Sequence, residues 1–429
     1  MLRGNTQEVE ILTLEDCLRI GIDNNLSLEG KRKEIQKSKY GVSENRSKLL
    51  PQINAIAGYN NNFDPPVSVT DGSSYGVPYN ITKTLQHSAN AGLEMQMPLF
   101  NQTLYTSMSI AKVMEEISRL SYGKAREDVI LQISKMYYLG QVTAEQIMLI
   151  KANITRLEEL RDITQAFFDN GMSMEVDLKR VNINLENLKV QYDNAQAMMK
   201  QQLNMLKYIM DYPAEKEIAL TPVNTDSITT VALTGLSENI YELQLSQSQV
   251  QLAERQKKII ANGYIPSLSL TGSWRYAAYT DKGYHWFHSG PSNQWFRSYG
   301  VGLTLRIPIF DGLDKTYKIK KAMIDIENKR LAWEDARKNL QTQYLNAVND
   351  LMNNQRNFKK QKDNYLLAED VYAVTSDRYR EGIASMTEVL QDEMQMSEAQ
   401  NNYISAHYNY RVTNLMLLKL TGQIESLVK

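Results

Sequence analysis

The chain has 429 residues, with 48 basic and 49 acidic side chains and a formal net charge of −1; it lacks the basic footprint that phosphate contacts demand of a nucleic-acid binder. Hydrophobic residues make up 42 % and mean hydropathy is −0.44. No apolar run reaches the roughly 18 residues of a membrane helix, although a β-barrel spans a bilayer on alternating segments that leave little hydropathy signal.

Met1 to Gly4 lacks the apolar core of a signal peptide, so a cytosolic chain, or an exported one already processed, is expected. A helix is predicted over about 13–48. It leads through Pro51 into a weakly alternating strand at about 51–62, where Ile53, Ala55, Ala57 and Tyr59 recur every second residue. Residues 60–86, with Pro65-Pro66, Asp71-Gly72 and Gly76, read as a loop. A second strand at about 86–98 alternates Ala89, Ala91, Leu93, Met95 and Met97 with Asn90, Gly92, Glu94 and Gln96. Residues 99–212 and 309–429 contain no proline, which permits very long helices. Apolar spacing such as Ile147, Ile150, Ile154, Leu157 and Leu160 predicts a buried stripe between packed helices.

The second half repeats this plan. A helix at about 237–262 is followed by strands at about 266–278 and 297–308, the latter ending at Pro308-Ile309-Phe310-Asp311 as the earlier one ends at Pro98-Leu99-Phe100-Asn101. Each half then has a long helix, a glycine turn and a returning helix. The turns fall at 168–174 and 379–386, and Gly171 and Gly382 are each followed six residues later by an acidic residue, Asp177 and Glu388. Gly171 to Gly382 and Asp211 to Gly422 are both steps of 211 residues. The expected organisation is therefore a first repeat over 1–211, an equatorial connector over 212–236 forming a small waist, and a second repeat over 237–429. Each long helix should reach about 100 Å, and two shorter helices stacked end to end reach about 94 or 109 Å beside it.

Each alternating run is about as long as a tilted strand that crosses a bilayer. Four strands cannot close a spanning barrel, and open edges in lipid are prohibitive. Several copies must pool their strands, and three copies give twelve strands with a usable pore. The expected fold is mainly α with β: a long coiled-coil-like helical barrel plus a transmembrane β-barrel shared between protomers. Aromatic residues at 277–297 (Tyr279, Tyr284, Trp286, Phe287, Trp295 and Phe296) suit a membrane interface, with an ordinary aromatic hairpin core as the alternative.

Little in the sequence carries chemistry. Cys17 is the one cysteine, which excludes an intrachain disulfide and a cysteine metal cluster. His285 and His288 could be half of a metal site, but no third ligand stands near them. Met172, Met174, Met386, Met394 and Met396 cluster near the turns; copper(I) binding is one reading, and flexible packing is the favoured one. Gly300-Val301-Gly302 lies in a strand and lacks the later glycine of a nucleotide loop. No nucleophile–base pair, catalytic residue, metal site or cofactor site is expected.

In the order and spacing of its elements the chain resembles the TolC-like outer-membrane efflux proteins. The residues concerned are Leu12-Thr13-Leu14-Glu15-Asp16, Gly263-Tyr264-Ile265-Pro266-Ser267-Leu268-Ser269-Leu270, the two strand ends and the two glycine turns. The resemblance implies a homotrimer in a Gram-negative outer membrane with its helical part in the periplasm. It implies a passive exit duct that an inner-membrane transporter feeds through a periplasmic adaptor (membrane fusion protein). It places adaptor docking at Asn170, Gly171, Met172, Glu381, Gly382 and Ile383, and an acidic entrance at Asp177, Glu388 and Asp392. The family's second acidic position is Gln391 here, with Asp392 beside it. A soluble coiled-coil scaffold and a periplasmic adaptor protein are the alternatives; neither explains two hairpins of bilayer-length alternating strands.

Overall fold

The computed structural model describes residues 9–222, 235–281 and 294–428. Met1–Gly4, residues 223–234 of the connector, and Tyr284, His285, Trp286, Phe287 and His288 lie outside the described residues.

Strand β1 (Glu10–Leu12) leads to Thr13, whose hydroxyl accepts from the Asp16 amide at 3.1 Å while the Asp16 carboxylate accepts from the Thr13 amide at 3.2 Å. This capping box opens α1 (Leu14–Asn24) and holds the Asp16 carboxyl below its usual range. Where the sequence suggests one helix over 13–48, the chain breaks at Asn25. The Asn25 side chain donates to the Ile209 carbonyl at 2.7 Å and accepts from the Leu28 amide at 3.1 Å, starting α2 (Leu26–Ser47) afresh. A tertiary bond made by one amide side chain thus overrides continuous helical periodicity.

Next come β2 (Gln52–Asn61), β3 (Val67–Asp71), β4 (Tyr79–Lys83) and β5 (His87–Phe100). The segment read as a loop from its prolines and glycines thus holds a two-stranded hairpin, with Val69 facing Ile81 across it. Helix α3 spans Gln102–Asp169 and α4 spans Glu175–Met210. They are followed by β6 (Ile218–Leu220), α5 (Tyr241–Asn262), β7 (Ser267–Thr280) and β8 (Trp295–Arg306). Helices α6 (Asp314–Arg380) and α7 (Met386–Leu420) follow, and a short 3-10 helix, Ile424–Val428, comes after them. With 68 and 67 residues, α3 and α6 are each about 100 Å long at the helical rise.

The chain divides into two units. One comprises Met1–Ile35, Ser118–Gln247 and Leu331–Lys429, the other Gln36–Ile117 and Ser248–Arg330. In the first, Leu18 of α1, Ile130, Ile133 and Tyr137 of α3, Leu206 and Met210 of α4, and Leu415 of α7 form a core with almost no exposure. Burying each such side chain contributes about 1.5–3 kcal/mol. In the described part of the connector, β6 pairs in parallel with β1, Ile11 opposite Ala219.

In the second unit, four antiparallel strands form one sheet in the order β2-β5-β7-β8, so β2 and β8 are its edges. Register places Ile53, Met95, Gly272 and Val301 in one row and Ala55, Leu93, Trp274 and Tyr299 in the next, all on one apolar face. The opposite face carries Gln52, Gln96 and Thr271, then Asn54, Glu94 and Ser273. On β8 the apolar face is open: Tyr299, Val301, Leu303 and Leu305 are 60 to 80 % exposed.

Candidate functional site at the helical turns

The two interhelical turns both belong to the first unit and are built alike. Gly171 has φ 70° and Gly382 has φ 77°. The Gly171 amide donates to the Phe168 carbonyl at 2.9 Å and the Met172 amide to the Phe167 carbonyl at 2.8 Å; the Gly382 amide reaches Tyr379 and the Ile383 amide reaches Arg378 at the same two distances. This crossed pair satisfies carbonyls at the helix end and requires the left-handed conformation that glycine adopts without a Cβ penalty. Space is not the reason, because an added Cβ would meet nothing within 4 Å at either position.

The helices that leave the turns start differently. Ser385 caps α7: its amide donates to Glu388 Oε2 at 2.8 Å, and its hydroxyl accepts from the Glu388 amide at 3.3 Å. Those Ser385 hydrogen bonds hold the Glu388 carboxyl below the ordinary carboxylate range. Ser385 and Glu388 stand at capping-box spacing in the sequence, so the carboxylate expected at the acidic entrance also closes the first turn of α7. Met174 caps α4 without a side-chain bond. There Asp177 faces Arg180 at 3.3 Å, and Arg180 also donates to the Thr387 hydroxyl at 3.4 Å. Asp177 and the first turn of α7 are therefore brought together through one arginine.

Asn170, Gly171, Met172, Glu381, Gly382 and Ile383 are all exposed, Met172 at 70 % and Ile383 at 63 %. The Asn170 side chain donates back to the Ala166 carbonyl at 2.7 Å. Glu388 is exposed and Asp392 half-buried. The five methionines separate: Met172, Met174 and Met394 are exposed, whereas Met386 and Met396 are core side chains. Core packing therefore accounts for two of them. No cluster of three His, Cys, Asp or Glu side chains suited to a metal occurs among the described residues.

Beneath the turns both halves of the chain share one apolar cluster, with Leu157 and Leu160 of α3, Val181 and Leu185 of α4, Tyr379 of α6 and Val389 of α7. Sequence patterning missed the polar groups set in it. The Tyr379 hydroxyl donates to Thr164 at 3.3 Å, and Arg156 pairs with Glu369. Arg380 bridges to Glu159 at 3.4 Å. Glu393 is 4 % exposed with Oε1 unpartnered, and burial pushes its carboxyl up. Burial, with Glu393 adding to it, raises the Tyr372 hydroxyl to about 12. The three bonded pairs all tie α3 to α6, the Arg380–Glu159 pair at the exposed margin of the cluster.

A sheet with one apolar face and two open edges, joined in sequence to helices of about 100 Å, defines the class of the outer-membrane channels. The sequence model of the family Outer membrane efflux protein matches residues 20–210 and 236–423, and the chain belongs to that family. It is an outer-membrane efflux channel of TolC-like fold. Outer membrane protein TolC of Vibrio cholerae is 21 % identical over 399 residues, covering 89 % of this chain and 84 % of that protein. Its namesake in Escherichia coli is 19 % identical over 394 residues, covering 89 % and 76 %. Among solved structures, CusC superposes with a TM-score of 0.79 at 15 % identity, covering 95 % of this chain and 91 % of its own, which is a likeness of fold.

Proposed function

We propose that this protein is the passive exit duct of a tripartite efflux or secretion system. It works as a homotrimer whose twelve strands close a barrel in the outer membrane of a Gram-negative cell, with the helical part in the periplasm. The observation that carries this reading is the pair of open edges, β2 and β8, on a sheet whose apolar face is exposed. In lipid every unpaired edge amide costs several kcal/mol, so the edges must be met by strands from sister copies. Two copies leave little lumen and three leave a usable one.

In this reading residues 1–211 and 237–429 are the two structural repeats and 212–236 the equatorial connector. An inner-membrane transporter supplies the energy. A periplasmic adaptor docks on Asn170, Gly171, Met172, Glu381, Gly382 and Ile383, whose exposed Met172 and Ile383 offer apolar contact. Asp177, Glu388 and Asp392 recur in each copy and focus negative potential at the entrance. The capping bonds from Ser385 hold the Glu388 carboxyl below its ordinary range, which extends its charged state to lower pH.

Two measurements test the reading. The detergent-solubilised protein should run at three times its 49.2 kDa protomer mass and open channels in planar bilayers. A monodisperse single-copy particle in detergent-free buffer would contradict it. A photo-crosslinker at Met172 or Ile383 in cells should capture a periplasmic adaptor, and capture of nothing at either site would remove the docking assignment.

A further inference from the structure

The polar face of the four-stranded sheet is mostly uncharged, with Gln52, Asn54, Gln96, Thr271, Ser273 and Ser298 along it. The four strands hold four charged side chains in all. Arg306 ends β8, and Arg297, opposite Tyr276, lies on the apolar face near the start of that strand. The other two, Glu94 of β5 and Arg275 of β7, stand mid-strand on the polar face and are bonded to each other: Arg275 Nη2 donates to Glu94 Oε1 at 2.5 Å. Glu94 lies opposite Ser273 and Arg275 opposite Gly92, so the bond is diagonal and the guanidinium lies along the sheet. Gly92 leaves the surface beside it bare, since a Cβ there would come within 2.8 Å of the Arg275 Cα. Arg275 Nε is buried without a hydrogen-bond partner, while the two side chains remain 42 and 47 % exposed. The stem is pinned and the charged ends are open.

We propose that Glu94 and Arg275 set the charge selectivity of the membrane-crossing segment. The inference rests on the duct reading above: with the apolar face on lipid, the polar face lines the pore, and three such pairs form one belt. A lone charge in a passage with low-dielectric walls sets up a potential that attracts one sign of solute and repels the other. At 2.5 Å the two charges cancel for anything passing several ångströms away. The belt is neutral as built and adds no preference for either sign mid-strand; Arg306, on the same face, lies outside it at the end of β8.

The test is a salt-gradient measurement of the cation-to-anion permeability ratio of the purified full-length protein in planar bilayers. It uses a Glu388→Gln, Asp392→Asn parent, so that the entrance charges do not mask the belt. Glu94→Gln should move the ratio about threefold toward anions and Arg275→Gln about threefold toward cations, the change expected for a potential of about one kT. Glu94→Gln with Arg275→Gln, and the swapped pair Glu94→Arg with Arg275→Glu, should restore the parent ratio. Threonine, which strands favour, should give the same signs at either position if the glutamine variants insert poorly. Single variants that conduct with an unchanged ratio, or that shift it in the same direction, overturn the belt and leave the duct standing. A parent that opens no channel overturns the duct reading and the belt with it.

Discussion

The sheet and the helical turns solve the same problem, unpaired backbone groups, in different ways. At the turns the solution is local: the crossed bonds to Gly171, Met172, Gly382 and Ile383 and the Ser385 cap satisfy carbonyls and amides with residues no more than five positions away. In the sheet, β5 and β7 are paired on both sides, but β2 and β8 each present one row of groups that no strand among the described residues meets. The turns are complete within one chain, whereas the sheet is half of a contact. Substitutions should therefore act locally in the one region and through assembly in the other.

The largest effect is expected on the apolar face of the edge strand. Val301→Arg puts a charge where lipid is expected, at a cost of about 2–4 kcal/mol per copy, whereas Thr304→Lys on the polar face leaves its charge in water. Val301→Arg should abolish recovery of the protein from the outer-membrane fraction and Thr304→Lys should not; equal recovery would break the comparison. Next comes a group buried in the helical unit. Burial pushes the Glu127 carboxyl from 4.5 up to about 7 against the pull of Lys419. The protonated form favours the fold, so its stability is full below pH 4.5 and is lost as the pH rises through about 7. Glu127→Gln should match the wild type at pH 4 and exceed it at pH 8 by about 2–3 kcal/mol in thermal unfolding, with oligomeric state unchanged.

Smaller effects belong to the turns. Gly382→Val places a β-branched residue at φ 77° and should cost about 1–2 kcal/mol, read as faster proteolytic nicking at 379–386. Gly382→Asn should cost less, because asparagine tolerates the left-handed region. Ser385→Ala removes one cap and should cost about 1 kcal/mol, read as faster amide exchange in the first turn of α7. Glu388 adds a pH dependence of known sign. Its carboxyl is held low in the fold by Ser385, so the capping contribution is present above the ordinary value of 4.5 and is lost as pH falls through the lowered one.

What the sequence made legible follows the same division. Alternation along Leu93, Met95 and Met97, or along Val301, Leu303 and Leu305, marks the apolar face because strand periodicity depends on the strand alone. The proline-free stretches mark the long helices for a similar reason. The break at Asn25 was hidden, since its cause is a bond to Ile209, 184 residues away. The β3–β4 hairpin was hidden by the prolines and glycines around two five-residue strands. In the turns, both the glycines and the Ser385–Glu388 capping spacing are local patterns and so lie open in the sequence. Nothing local in the sequence marks Glu393 and Glu127, because burial among helices from distant parts of the chain leaves no local trace. The Glu94–Arg275 bond was invisible for a related reason: it depends on the β5–β7 register, which sequence separation of more than 170 residues does not reveal.

The central claim is that β8 of one copy meets β2 of the next, and disulfide trapping tests it most directly. In a Cys17→Ser background, cysteines would be placed in pairs, one at Tyr299, Val301 or Leu303 and the other at Ile53 or Ala55, on the apolar face of the two edges. A bond forms only where the Cα atoms lie within about 4.4–6.8 Å. At least one pair should give a covalent species of three protomers on a denaturing, non-reducing gel, collapsing to 49.2 kDa on reduction. Pairs that close only within a single chain, or that never close in membranes holding active protein, would contradict it.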